Sequence, residues 1–279
     1  MQHDQMFQPS ASVWNLQTIK SRVQAGVQFP NAHTRCTVVD IGNDILVKYG
    51  SAITPHEGMA TLYVAKHTTG IPIPKIHAIV YDESSQWTYI VQEKLPGVPL
   101  MDVLPTLDMN TRHILAAELR LILQQLQKFD SLGPLGLYGT PGEYRETCIG
   151  EFLLHFPAER ITTTDEFANY LPKAVGALAP GVAMPPTDAF DVNRSPIFSH
   201  GDLVAENILI QNGHISGIID WGLAGWYPYF WNDWIGRWRN GMLEFRDGRW
   251  AEMVDLAIEP FPKEYAAFQK IFAIATLHI

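Results

Sequence analysis

The chain has little cysteine and little charge. Cys36 and Cys148 are its only cysteines. Two cannot build a disulfide framework or a cysteine-based zinc site, and a reduced, cytoplasmic setting is expected. Charged residues make up 18% of the 279 positions, and 20 Lys and Arg against 29 Asp and Glu leave a net charge of −9. A chain without basic excess is not a general nucleic-acid or anionic-membrane binder, although one local basic site stays open. No run approaches the roughly 18 apolar residues of a membrane span. Met1 to Leu16 lacks the basic start and apolar core of a secretory leader. Repeats and low-complexity tracts are also missing. His33, His56, His113 and His155 lack metal-ligand spacing, which argues against zinc.

What is present is the composition of a folded globule, 47% apolar. The length suits one large domain or two small ones. Asn15 to Gln28 reads as a short helix. Thr37–Ile41 and Ile45–Tyr49 flank Gly42-Asn43-Asp44, which predicts a hairpin. Thr54, Pro55 and Glu57 open a helix that runs to about Thr69, where Gly70, Pro72 and Pro74 end it. Lys75–Tyr81 and Trp87–Glu93 read as strands, and Pro96-Gly97 breaks the chain. The character then changes. Met109–Phe129 is a long amphipathic helix with Leu115, Leu119, Ile122 and Leu126 on one stripe. Residues 131–142 read as a loop, Tyr144–Phe156 as a helix, and a further helix starts at Asp165 with an interruption at Pro172. Gly181–Pro196 reads as loop, and the chain is helical and Trp-rich from Pro228. Strands with one helix, then a break, then mostly helices predict a small α+β lobe over residues 1–95 and a larger helical lobe over 96–279.

The chemistry concentrates between Phe198 and Trp221. Asn212-Gly213 joins two β-rich runs and is a strong hairpin signal. Pairing Gln211 with His214 sets Asn207 opposite Ile218, with Asp220 two residues on, about 7 Å away in an extended strand. Asn207 and Asp220 then share the hairpin's open end, and Asp202 lies in the loop entering it. Oxygen-bearing side chains gathered this way suit Mg²⁺, which is usually held by one or two carboxylates plus substrate phosphates. One carboxylate would remain to orient or deprotonate an attacking hydroxyl, the division of labour in phosphoryl transfer.

His200-x-Asp202 with Asn207 five positions after the Asp matches a kinase catalytic loop, and Asp220-Trp221-Gly222 stands where the metal-binding Asp motif follows. His-Gly-Asp-Leu resembles the aminoglycoside phosphotransferase and choline kinase-like small-molecule kinases rather than protein kinases. No Ala-Pro-Glu segment follows Asp220. The run from Gly217 through Pro228 resembles the variant of that family abundant in fungi. Leu46–Gly50 is similar to the family's phosphate-contacting Lys strand, with Glu57 where the Lys-pairing helix Glu is expected. Tyr89–Gly97 resembles the hinge. The resemblance spans about residues 37–240. It implies a protein kinase-like α+β fold and ATP- and Mg-dependent transfer of the γ-phosphoryl group to a hydroxyl of a small molecule. Asp202 would be catalytic. Lys48, Glu57 and the backbone of Gln92, Glu93, Lys94 and Leu95 would bind nucleotide. Asn207 and Asp220 would hold the metal.

Two departures bear on this. Gly26 and Gly42 are the only glycines before Lys48, so no Gly-x-Gly-x-x-Gly loop precedes it. Val204-Ala205-Glu206 replaces the more polar or basic residues often found before the Asn. Alternatives stand beside several roles. Glu57 also completes a capping box with Thr54, and Lys48 also reads as a solvated strand-end charge. His200 reads as a loop-fixing residue. Trp231, Asp233 and Trp234 are candidates for a cation pocket or for core. A non-catalytic kinase-like binding protein is the rival function. The acceptor and the oligomeric state are not legible.

Overall fold

The computed structural model describes residues 13–30, 35–129, 136–137, 161–179, 181–183, 187–242 and 248–277. Its first part is a five-stranded sheet with a helix on each face. Helix α1 (Leu16–Ala25) starts at Asn15, whose Oδ1 accepts from Thr18 N at 2.9 Å. The strands are β1 (Val27–Gln28), β2 (Thr37–Asp40), β3 (Ile45–Gly50), β4 (Ile76–Asp82) and β5 (Trp87–Glu93), in the order β1-β2-β3-β5-β4. Helix α2 (Pro55–His67) lies between β3 and β4 in sequence. The β2–β3 hairpin forms as the sequence predicts, with Asp40 paired to Leu46 and left-handed φ at Gly42, Asn43 and Asp44.

Strand alternation decides where the chemistry goes. Val47 turns to the face covered by α1, where it packs with Ile19, Ala78, Tyr89 and Val91. Lys48 therefore turns to the opposite face, toward α2. That face holds Ile53, Ile76, Ile79 and Ile90. Helix α2 comes close to it because Gly58 has no side chain: a Cβ there would lie 2.5 Å from Ile79 Cδ1.

Lys20 of α1 bonds Asp82 at 2.6 Å, and the same buried carboxylate takes Ser84 N, Ser84 Oγ and Ser85 Oγ. The Lys20 ammonium and the serine hydroxyls hold the Asp82 carboxyl well below the usual range. A depressed carboxyl stabilises the folded state above its unfolded pKa of about 3.9 and stops doing so as pH falls below it. Asp82→Asn is therefore expected to lower the urea midpoint clearly at pH 7, with the gap from wild type closing under strong acid. A gap that stays constant from pH 7 into strong acid would show that this carboxylate does not anchor α1.

Every later element follows Pro96. They comprise β6 (Val98–Pro99), α3 (Leu100–Val103), α4 (Met109–Leu126), β7 (Gly136–Leu137) and the helix Thr164–Leu178, then β8 (Ile197–Ser199), β9 (Ile208–Gln211), β10 (His214–Ile218) and β11 (Gly225–Tyr227), with helices Trp231–Met242, Arg249–Ala257 and Pro262–Leu277. Two small sheets, β10-β9-β6 and β7-β11-β8, are set among the helices. The stripe Leu115, Leu119, Ile122 and Leu126 of α4 is buried in one cluster with Trp221, Trp226, Trp231, Trp234, Trp238 and Trp250. Phe272, near the apolar chain end, packs on Trp238 at 5.0 Å between ring centroids.

The sequence reading needs three corrections here. The helix from Thr164 runs through Pro172 without interruption. A full capping box between Thr163 and Glu166, and burial of Phe167, Leu171 and Val175, offset the backbone bond that proline cannot make. Gly136–Leu137, expected within a loop, pairs with β11. The remainder of that loop and the expected helix Tyr144–Phe156 lie outside the described residues. The β9–β10 hairpin carries a bulge between Ile215 and Gly217, so Ile218 pairs with Ile208 and Asn207 faces Ile219. The extra residue brings Asp220 one position nearer to Asn207 than a regular ladder allows.

Candidate active site

Lys48 Nζ sits between two carboxylates, 2.9 Å from Glu57 Oε1 and 2.8 Å from Asp220 Oδ1. Residues from β3, from α2 and from the turn after β10 thus meet at one ammonium group. Lys48 and Glu57 are nearly enclosed, whereas the Asp220 side chain is 49% exposed and faces solvent beyond the lysine. Burial opposes the charge on Lys48, but Glu57 and Asp220 outweigh it and raise its pKa. Burial pushes the Glu57 carboxyl up. Asp220 goes the other way, because Lys48 and the Gly222 N–H overcome burial and hold it below the usual range. The arrangement keeps a positive charge at Lys48 and a negative one at Asp220.

Glu57 does not cap α2. The Thr54 side chain makes no capping bond, and the Glu57 carboxylate reaches Lys48 instead. A buried ammonium needs a partner more than a helix end needs a second cap. Lys48 is correspondingly not a solvated strand end.

Asp220 has left-handed backbone angles, φ 63° and ψ 60°. Asp tolerates this region better than most residues, and such strain gathers at functional turns. Four bonds hold the turn. Ile219 N donates to Asn207 O at 3.0 Å, and His200 Nε2 bonds Ile219 O at 2.9 Å. Trp221 Nε1 donates to Ile218 O at 2.9 Å, and His56 Nε2 bonds Ala224 O at 2.9 Å. A carbonyl only accepts, so His200 carries its proton on Nε2. Burial lowers its pKa and keeps the ring neutral. His200 is the loop-fixing residue that its alternative reading describes.

Asp202 lies in the loop that leads into the hairpin. Asn207 Nδ2 donates to the Asp202 backbone carbonyl at 2.9 Å and closes the loop between them. Gly201 allows the close approach. Its φ is +84°, and a Cβ there would lie 1.9 Å from Leu223 O. Trp231 Nε1 donates to Gly201 O at 3.0 Å, Ser199 Oγ accepts from Gly201 N at 3.1 Å, and Ser199 Oγ donates to Asn232 Oδ1 at 2.6 Å. Gly201→Ala is expected to cost about 2–4 kcal/mol of stability, since it adds a backbone clash to a left-handed residue. A melting temperature within a degree of wild type would show that the loop can shift aside.

At the break, Gly97 has φ +114° and lies against Ile210, while Ser216 Oγ donates to Pro96 O at 2.6 Å. Gln92 is inside the sheet, paired with both Leu46 and Ile76. Glu93 N donates to Lys75 O at 2.9 Å and Lys94 N to Asp44 O at 2.8 Å. Of the four residues expected to meet a nucleotide base, only Leu95 keeps a backbone N–H that no described residue accepts from. Before Lys48, β1 is two residues long, and the Phe29–Cys36 connection to β2 contains no glycine.

The oxygen donors Asn207 and Asp220 suit a hard cation. Among the described residues no three His, Cys, Asp or Glu side chains group to hold a metal. One carboxylate and one amide fit Mg²⁺ all the same, because it takes its remaining ligands from phosphates and water. The cation-pocket reading of Trp231, Asp233 and Trp234 is incorrect. Both tryptophans are buried against Phe268, and Asp233 is taken by Arg237 Nε at 2.6 Å and Phe261 N at 2.8 Å. Sequence reasoning missed His56, Ser199 and Asn232. Their partners lie 168, 2 and 33 residues away, and only the tight Gly201 position hinted at a packed loop.

A five-stranded sheet with a Lys–Glu pair, followed by a mostly helical part whose loop and hairpin carry Asp202, Asn207 and Asp220, defines a protein kinase-like α+β protein. The pattern of the phosphotransferase enzyme family (APH) matches residues 54–249, more than two thirds of the chain, and the protein belongs to that family. No curated protein matches the chain in sequence. Among solved structures, a thermostable mutant of aminoglycoside phosphotransferase APH(4)-Ia in its apo form is 18% identical, with a TM-score of 0.58 over 91% of this chain and 86% of that one. The streptomycin–ATP–APH(2″)-IIa ternary complex is 11% identical, with a TM-score of 0.56 over 96% and 91%. The GDP and kanamycin complex of APH(2″)-IIia is 15% identical, with a TM-score of 0.55 over 91% and 86%. At these identities the likeness establishes the fold. No described helix is long and apolar enough to cross a membrane.

Proposed function

We propose that the protein transfers the γ-phosphoryl group of Mg-ATP to a hydroxyl of a small molecule in the cytoplasm. The observation that carries this reading is the Lys48 ammonium held between Glu57 and Asp220, beside the closed loop that bears Asp202 and Asn207. Residues 1–95 would form the nucleotide lobe and 96–279 the catalytic lobe, with the base entering at Pro96-Gly97. The Leu95 N–H would donate to the adenine. Lys48 would neutralise the α- and β-phosphates while Glu57 holds it in place. Asn207 and Asp220 would hold Mg²⁺, which when bound offsets charge on the β- and γ-phosphate oxygens. Asp202 would orient the acceptor hydroxyl and take its proton as the new O–P bond forms. The bond to the β-phosphate oxygen breaks, and its electron pair leaves with ADP.

Binding as ATP and GDP complexes in relatives of this fold supports a nucleotide site. A non-catalytic binding protein is favoured by one feature, the glycine-free β1–β2 connection. Nucleotide titrations separate the readings. Mg-ATP at 100 times its Kd is expected to stabilise the wild type by about 2.7 kcal/mol, seen as a rise in melting temperature. Asp220→Asn is expected to remove the part of that rise that depends on Mg²⁺. An equal rise with and without Mg²⁺ in both proteins would remove Asp220 from the metal role.

A further inference from the structure

Lys48 Nζ is bonded to Glu57 of α2 and to Asp220 in the turn after β10. The residue before Glu57 joins the same two elements a second time. His56 Nε2 lies 2.9 Å from the carbonyl oxygen of Ala224, the residue that ends that turn. A carbonyl only accepts, so the ring donates from Nε2. Both residues are buried. Lys48, Glu57, His56, Ala224 and Asp220 therefore close a ring, with two ion pairs on one side and a single hydrogen bond on the other.

The first turn of α2 depends on such a bond. Thr54 supplies no side-chain cap, and the Glu57 carboxylate is committed to Lys48. Farther along, packing holds the helix. Ala60 and Val64 are buried in one cluster with Phe198 and Trp221. The Tyr63 ring meets Phe129, Phe198 and Trp226 at 5.3, 5.6 and 6.1 Å between centroids. Those contacts set the helix axis but begin beyond Glu57, at the end away from the uncapped turn. Facing the sheet, the first turn rests Gly58 against Ile79. Toward the Asp220 turn, His56 reaches across. That turn needs tying as well, because Asp220 stands on left-handed backbone. His200 ties it at Ile219 O, just before Asp220, and His56 ties it at Ala224 O, just after.

We propose that His56 is a positioning residue for phosphoryl transfer. Resting on the phosphotransferase reading, it holds Glu57, and with it the Lys48 ammonium, in register with the proposed metal ligand Asp220. It acts through these side chains and not on either substrate.

Three variants test this. His56→Phe keeps a ring and removes the donor. His56→Asn keeps a donor but is too short to reach Ala224 O. His56→Gln places an amide N–H near the position of Nε2. ADP release is followed against Mg²⁺ concentration at fixed ATP. His56→Phe and His56→Asn are expected to lower kcat by about 10- to 100-fold, the cost of a small misplacement, and to raise the half-saturating Mg²⁺ concentration by about tenfold. His56→Gln is expected to stay within about threefold of wild type in both. A merely structural role would lower the melting temperature and turnover together and leave the Mg²⁺ requirement of the folded protein unchanged. That result, or a His56→Gln variant as impaired as His56→Asn, would overturn the proposal. Hydrogen exchange supplies a readout that needs no turnover. Glu57 N donates to Thr54 O in the first turn of α2, and Ala224 N donates to Trp221 O in the other element. In His56→Asn, exchange is expected to quicken at both amides, since one bond holds both. Quickening at one alone, or at neither, would overturn the coupling. If wild type releases no ADP with any acceptor, the phosphotransferase reading fails by itself, and the exchange experiment still decides whether His56 couples the two elements.

Discussion

Asp202→Asn is expected to lower the rate of phosphoryl transfer by about 10²–10⁴-fold while leaving the fold and Mg-ATP affinity close to wild type. The bonding pattern separates the two effects. Asn207 closes the loop onto the backbone carbonyl of Asp202, not its carboxylate. His200 Nε2 bonds Ile219 O and Ile219 N donates to Asn207 O across the neighbouring turn. An amide of the same shape can therefore occupy the position with the loop intact. What it cannot do is accept a proton from the attacking hydroxyl. A variant that retains full turnover would take Asp202 out of the reaction. One that loses turnover and melts several degrees lower would show a structural role instead.

Lys48→Met is expected to have the largest effect on stability. It leaves the buried Glu57 carboxylate without its counter-charge, and breaking a buried pair in this way costs about 3–5 kcal/mol. Asp220 loses the same partner but is half exposed and suffers less. Adding Glu57→Gln to Lys48→Met should restore much of the stability and none of the turnover. The pH dependence has a definite sign. Burial already raises the Glu57 carboxyl, and without Lys48 nothing opposes that shift. An acid whose pKa is higher folded than unfolded loses stability as pH rises between the two values. The single variant should therefore recover as pH falls from neutral toward the ordinary Glu range, while the double variant should not. Equal loss in the single and double variants would mean that the Lys48–Glu57 pair is not what the mutation breaks.

Local signals were readable where local chemistry settles them. Gly42-Asn43-Asp44 and Asn212-Gly213 need left-handed backbone, and both make the turns expected of them. Pro55 after Thr54 starts α2 one residue past the cap. Of the two roles the sequence offered Glu57, pairing with Lys48 and capping α2, the structure keeps the pairing and not the cap. Reading failed where a distant residue decides. The regular hairpin ladder missed the bulge at Ser216, whose hydroxyl is drawn to Pro96 O. Trp231 and Trp234 suggested a pocket by composition and turned out to be core, because Phe268 and Phe272 arrive from the last helix. His56 carried no sequence signal at all, since its acceptor is Ala224. Spacing alone brought Asp202, Asn207 and Asp220 together, because all three belong to one loop and one hairpin.

The most direct measurement is ADP production from Mg-ATP across a panel of hydroxylated small molecules. ADP release is predicted to require both Mg²⁺ and an acceptor, to yield a phosphorylated acceptor in equal amount, and to disappear in Asp202→Asn. Millimolar Mg-ATP that neither shifts the melting temperature nor yields ADP with any acceptor would contradict it.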